Sequence, residues 1–317
     1  MSFHRQHLLG LAGLSAAEIL DLLARADRFW DAAGSSSSQV DPVPGLSVAN
    51  LILEPSTRTR CSFEIAEARL GIERVSLAES TALSLVKGET LLDTVRTLAT
   101  MGVNVFIVRH PEVGAPAAIA NGVPQIHVVN AGDGTGEHPT QGLLDLLVLR
   151  RRWGDLAGRR VLIVGDVTHS RVARSAYHGL ITLRAEVVLC GPRRWLPAAA
   201  EYPRASLADD LDEALGVCDA VMALRVQRER LGEDEGVPDP ATYRRRFGLT
   251  VERADRLASD FPVLHPGPFN RGVEIDGEVA DGPRSLIWSQ VRAGLAVRMA
   301  VLAVLAEQRA AGSDRAG

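Results

Sequence analysis

The sequence has little cysteine: Cys61, Cys190 and Cys218 are the only three in 317 residues. An odd, scattered set gives neither a disulfide framework nor metal-ligand spacing, which fits a reducing cytoplasmic setting and small buried thiols. No charged-then-apolar leader opens the chain. Long uninterrupted apolar runs are absent as well. The most apolar stretch near the C-terminus, residues 286–305, carries Gln290, Arg292 and Arg298. It therefore reads as an amphipathic or buried helix and not as a membrane span. Excess positive charge is missing, since the formal net charge is −4. Non-specific nucleic-acid binding is not suggested, and any anion site must be a local concentration of Arg and Lys. The segment Val164-Gly-Asp-Val-Thr-His-Ser-Arg171 follows an apolar run but lacks Gly-x-Gly-x-x-Gly, so a dinucleotide reading is weak.

Hydrophobic residues make up 46% of the chain, ample for buried cores, and 317 residues exceed the usual single-core size. Two domains are the expectation. A helix is expected over 14–33, with Ser15 and Glu18 as a capping box, and residues 35–38 read as a mobile serine connection. Strands are expected at 48–53, 103–108 and 125–130, and helices at 62–70, 90–101, 116–121 and 139–153, with a loop at 131–136. After a hinge at 154–158 the alternation resumes. Strands are expected at 160–164, 186–190, 220–224 and 263–265, with helices at 171–183, 207–215 and 251–257. The stretch 225–243 reads as a loop and 285–308 as a closing helix. Repeated βα units argue for α/β architecture with two parallel sheets, and ligands of such sheets sit beyond the strand C-terminal ends.

The stretch Leu51-Ile-Leu-Glu-Pro-Ser-Thr-Arg-Thr-Arg-Cys-Ser-Phe-Glu64 organises the rest. It reads as a buried strand, a tight turn and a helix N-terminus. Ser56, Thr57, Arg58 and Thr59 place hydroxyls, backbone N–H groups and a guanidinium where a phosphate would bind. A plain Ser/Thr cap beside solvated arginines is the alternative. Arg109 ends an apolar strand, and a surface arginine is the alternative there. His138 begins a helix, where the dipole would keep it neutral, although a polar cap residue would look the same. Lys87 follows the polar loop 78–85 and on its own reads as a solvated lysine at a helix start.

Together, Ser56-Thr-Arg-Thr-Arg60, Lys87-Gly-Glu-Thr90, Val108-Arg-His-Pro111, His138-Pro-Thr-Gln141, Arg225-Val-Gln227 and His265-Pro-Gly-Pro-Phe-Asn-Arg-Gly-Val-Glu274 resemble the aspartate/ornithine carbamoyltransferase family, nearest to its aspartate branch. The ornithine branch places Cys in the motifs matching His138–Gln141 and His265–Pro268, and neither Cys is present.

The resemblance implies two Rossmann-like domains joined by helices. Residues 1–153 would bind carbamoyl phosphate, 154–286 would bind aspartate, and a helix at 287–310 would pack back on the first domain. It implies transfer of a carbamoyl group from carbamoyl phosphate to L-aspartate, in pyrimidine synthesis, with no metal or other cofactor and no enzyme nucleophile. Ser56, Thr57, Arg58, Thr59, Arg109, His138, Gln141 and Gly267 would hold carbamoyl phosphate, with Arg58, Thr59, Arg109 and His138 in the catalytic set. Arg171, Arg225, Gln227 and Pro268 would hold aspartate. Ser84 and Lys87 would reach the site of a neighbouring subunit, Lys87 touching both substrates, in a homotrimer. Larger assemblies with dihydroorotase or regulatory chains are compatible with this, and no membrane or nucleic-acid partner is implied. A non-catalytic assembly partner of the same fold, or a carbamoyltransferase for another amino acid, is the alternative.

Overall fold

In the computed structural model, residues 2–35, 40–77, 88–226 and 239–313 are described. The chain forms two compact units, Met1–Leu147 with Arg292–Gly317, and Val148–Val291. The division falls within the helix Pro139–Trp153, ahead of residues 154–158.

The first unit is built on a parallel sheet of β1 (Ser47–Ile52), β2 (Glu73–Leu77), β3 (Val105–His110) and β4 (His127–Asp133), in the order β2-β1-β3-β4. Five of the six residues of β1 and five of the six of β3 are buried, as strands covered on both faces must be. Leu51, Val95, Phe106, Val108, Ile119 and Val128 share one core. Around the sheet lie α1 (Ala16–Arg28), α2 (Trp30–Gly34), α3 (Thr57–Arg69), α4 (Leu91–Thr100) and α5 (Ala115–Gly122). Ser15 closes the expected capping box with Glu18. The helix expected over 14–33 is broken at Phe29, whose N–H turns back to Ala26 and Asp27.

The second unit carries β5 (Arg160–Val164), β6 (Glu186–Cys190), β7 (Ala205–Ala208), β8 (Ala220–Ala223) and β9 (Val263–Leu264), all parallel in the order β7-β6-β5-β8-β9. Its helices are α7 (Arg171–Thr182), α8 (Leu211–Val217), α9 (Pro240–Phe247), α10 (Val251–Asp255) and α11 (Gly277–Ala280). Trp195, Tyr243, Phe247, Val221 and Ile275 centre its core. Two helices run through the division: α6 (Pro139–Trp153) and α12 (Ile287–Ser313). The segment Ile287–Ala311 is long and apolar enough to span a bilayer, but 78% of its most apolar window is buried within the protein, as in a core helix.

Several expectations need correction. The helix expected at 62–70 starts already at Thr57, so Thr57, Arg58 and Thr59 belong to the first turn of α3. Strands β2 and β7 are additional; both lie at sheet edges and are largely exposed, so no apolar run marks them. The helix expected at 207–215 begins only at Leu211, because residues up to Ala208 pair with β6. The loop expected at 131–136 is strand as far as Asp133, and α9 interrupts the loop expected at 225–243. Cys61 is exposed, not buried. Residues 36–38 of the serine run and all of 78–85 lie outside the described residues.

Candidate active site

In each sheet the chain reverses direction of build between two adjacent strands, β1 and β3 in the first, β5 and β8 in the second. At such switch points the connections leave to opposite sides and open a crevice at the strand C-terminal ends.

At the first switch point Ile52 is in register with Arg109, and the Leu53 N–H donates to the Arg109 carbonyl at 2.9 Å. The chain then passes Glu54 and Pro55 and enters α3. Ser56, in extended conformation, caps the helix: its Oγ accepts from the Thr59 N–H at 3.4 Å and donates to Thr59 Oγ1 at 2.9 Å. No acidic side chain occupies the first turn of α3, so the helix itself supplies no carboxylate to compete for its N–H groups and dipole. Thr57 and Arg58 are exposed there and Thr59 is buried. The segment thus faces solvent with a guanidinium and a helix N-terminus, over a floor of buried hydroxyl.

Arg109 is 7% exposed. Its Nη1 donates to the Ala131 carbonyl at 3.3 Å, its Nε to the Glu54 carbonyl at 3.3 Å, and its Nη2 to Glu54 Oε1 at 3.2 Å. This buried cation is therefore held across β1, β3 and β4, and Glu54 is the anion paired with it.

The loop leading to His138 is built around Asp133. Its carboxylate accepts from the Gly114 and Glu137 N–H groups and from Asn130 Nδ2, each at 2.8 Å. A Cβ at Gly136 would lie 2.6 Å from Asp133 Oδ1, so any side chain there would push the Asp133 carboxylate aside. Glu137 in turn accepts from the Leu11 N–H at 2.7 Å and the Ala12 N–H at 3.1 Å. His138 is buried at the start of α6. Gln141 Nε2 donates to Asp145 Oδ1 at 3.0 Å, which turns the amide oxygen to act as the acceptor.

In the second unit, Gly165 follows β5 with φ of +129°, and a Cβ at Gly191 would lie 2.5 Å from its carbonyl oxygen. This close crossing leads into Asp166, which is 1% exposed and takes His169 Nδ1 at 2.9 Å. Ser170 then caps α7, and Arg171, buried, is its first residue. Arg225 follows β8 and is half-buried. The segment 265–274 is pinned by Glu274, itself 1% exposed. Glu274 accepts from the Asn270 N–H at 2.5 Å and from Asn270 Nδ2 at 3.2 Å, and Nδ2 also donates to the Val226 carbonyl at 3.3 Å. Gly267, with φ of +62°, and Pro268, joined by a cis peptide, are thus tied to the strand end that carries Arg225.

In the first unit Ser56, Thr57, Arg58 and Thr59 open α3 beside Arg109 at the β1–β3 switch point, while His138 immediately precedes α6 and Gln141 lies in its first turn. In the second unit Arg171 opens α7 after β5, Arg225 follows the neighbouring β8, and Gly267 and Pro268 lie in the segment that Asn270 ties to Val226. Ser84, Lys87 and Gln227 lie outside the described residues. Glu54, Asn130, Asp133, Glu137, Asp166, Asn270 and Glu274 position these groups and were not singled out from sequence. The glycine-rich run at 132–136 and the acid closing the segment 265–274 were the available signals. Among the described residues no three His, Cys, Asp or Glu side chains converge as metal ligands.

A chain with an arginine- and hydroxyl-lined helix N-terminus at one switch point, and two further arginines at a second, is a two-unit parallel α/β protein for anionic ligands. Residues 6–151 match the domain described as "Aspartate/ornithine carbamoyltransferase, carbamoyl-P binding domain", and residues 157–305 match the "Asp/Orn binding domain" of the same group. The chain belongs to the aspartate/ornithine carbamoyltransferase family. It is 49% identical over 299 residues to an aspartate carbamoyltransferase catalytic subunit of Gemmatimonas aurantiaca, covering 94% of this chain and 93% of that one. It is also 49% identical over 306 residues to that of Sorangium cellulosum, covering 96% and 94%. Among solved structures, the catalytic subunit of M. jannaschii aspartate transcarbamoylase superposes with a TM-score of 0.82 at 30% identity, covering 96% and 98%. The Trypanosoma cruzi enzyme, solved with carbamoyl phosphate and aspartate, gives 0.80 at 29%, covering 93% and 95%. An ornithine carbamoyltransferase from Thermus thermophilus gives 0.82 at 26%, covering 95% and 99%, so the fold is common to both branches.

Proposed function

We propose that this chain is an aspartate carbamoyltransferase catalytic subunit, which transfers the carbamoyl group of carbamoyl phosphate to L-aspartate in pyrimidine synthesis. The observation that carries the reading is the register of β1 with β3, which sets Arg109 beside the capped N-terminus of α3. A dianionic phosphate suits that arrangement of N–H groups, hydroxyls and guanidinium. The names of the relatives and the missing Cys in both diagnostic motifs favour aspartate over ornithine.

Carbamoyl phosphate binds to Ser56, Thr57, Arg58, Thr59 and Arg109, with the Gln141 amide oxygen and the Gly267 carbonyl accepting from its NH₂. Aspartate binds through Arg171, Arg225 and Gln227, one guanidinium for each carboxylate, with Pro268 alongside. The neutral aspartate amine attacks the carbamoyl carbon. A C–N bond forms and the carbonyl oxygen becomes an oxyanion, stabilised by Thr59, Arg109 and His138. The C–O bond to phosphate then breaks, and the departing phosphate takes the amine proton. Positioning and charge stabilisation carry the rate.

The active unit is a cytoplasmic homotrimer in which Lys87 and Ser84 of one chain complete the site of the next. The test is Arg58→Ala. It removes a charge-assisted phosphate contact worth roughly 2–4 kcal/mol in the transition state, so kcat should fall on the order of a hundredfold or more with the fold intact. Near-normal turnover in the folded variant would refute the assignment.

A further inference from the structure

Arg298 lies on α12, within the first unit, and is 4% exposed. Its guanidinium carbon sits 4.9 Å from the ring centre of Phe63, in cation–π contact. Phe63 is one helical turn beyond Thr59, so both fall on the same face of α3, the helix whose N-terminus forms the phosphate pocket. Arg298 Nη1 donates to the Gly294 carbonyl at 2.7 Å, whereas its Nε is buried and donates to no atom among the described residues. Among the described residues no carboxylate pairs with Arg298. Burial, and after it the like charge of Arg109, lowers its pKa to about 10. A buried cation with a like-charged neighbour and no counter-ion is costly to keep.

The helix is adapted to hold it. A Cβ at Gly294 would lie 2.6 Å from Arg298 Nη1 and 3.2 Å from Leu144 Cδ2. Glycine is unfavourable inside a helix, and here it makes the space the guanidinium fills.

We propose that Arg298 is a positioning residue of the phosphate site: seated on Phe63 behind α3, with a buried charge that no carboxylate among the described residues balances, it is compensated by the phosphoryl dianion, so it sets anion affinity without touching the substrate. The repulsion between Arg298 and Arg109 is relieved when the dianion arrives. This inference rests on the carbamoyl phosphate reading above.

The experiment compares Arg298→Met and Arg298→Lys with the parent chain, using calorimetric titration with inorganic phosphate, thermal unfolding and steady-state kinetics. Arg298→Met should raise the phosphate dissociation constant about tenfold, the effect of losing one unit charge nearby in a partly screened interior. The KM for carbamoyl phosphate should rise in parallel and the KM for aspartate should hold. Arg298→Lys should recover most of the phosphate affinity. If Arg298→Met does not fold, Arg298→Gln is compared with Arg298→Lys in the same way. Parent-like phosphate affinity in a folded neutral variant would overturn the inference. So would equal loss in the neutral and lysine variants, which would mark a role in packing alone. A parent chain that binds neither phosphate nor carbamoyl phosphate would instead refute the function proposed above, and this inference with it.

Discussion

Glu67 offers a quantitative test of the architecture beneath the phosphate helix. Its side chain is fully buried on α3, and both carboxyl oxygens accept from Asn50 Nδ2 on β1, at 3.0 and 2.9 Å. Burial pushes its pKa from 4.5 up to about 7, opposed by the Asn50 hydrogen bonds and by Arg74. An acid whose folded pKa lies above its unfolded one folds best when protonated. Its contribution is fully present below the unfolded pKa, and it is lost as pH rises through the folded pKa. The loss therefore spans pH 4.5 to about 7. At about 1.4 kcal/mol per pKa unit, the ionised carboxylate costs on the order of 3 kcal/mol at pH 8. Glu67→Gln removes this cost, and its amide N–H can donate to Asn50 Oδ1, a buried oxygen with no partner among the described residues. Denaturant unfolding of parent and variant at pH 5 and pH 8 makes the comparison, since all other titrations cancel in the difference. The variant should gain roughly 2–3 kcal/mol at pH 8 and little at pH 5. A difference between the two chains that does not change with pH would refute the reasoning.

Arg225→Ala should raise the KM for aspartate about a hundredfold, a loss of one charged carboxylate contact, and leave carbamoyl phosphate binding unchanged; calorimetry showing the reverse would overturn the division of labour between the units. Lys87 is the chain's single lysine. Under the proposed sharing of sites between chains, mixing inactive Lys87→Ala chains with inactive Arg58→Ala chains should restore activity, and exchange into mixed oligomers without recovery would disprove that proposal.

What could be read from the sequence follows from where the physics is local. Strand β1, the Ser56 cap and the hydroxyl-arginine turn lie within one short stretch, so apolar run and capping chemistry appear together. Buried strands such as β5 and β6 are continuous apolar runs and were located to the residue. The edge strands β2 and β7 are largely exposed and carry no continuous apolar run, and only pairing with β1 and β6 makes them strands. The long-range partners were not legible either. Nothing near Arg109 in sequence points to Glu54, and nothing near Arg225 points to the Asn270 contact with Val226. Glu67 looks like an ordinary helix charge until β1 covers it. Arg298 reads as a polar interruption of an apolar run, whereas the fold buries it under α3.

The most direct measurement of the central claim is product identity with the purified chain. Carbamoyl phosphate with either L-aspartate or L-ornithine is incubated with the protein, and the products are separated by mass spectrometry. The account predicts N-carbamoyl-L-aspartate and phosphate in equal amounts from aspartate, and no citrulline from ornithine. Citrulline as the product, or no carbamoyl transfer to aspartate by a folded chain, would contradict it.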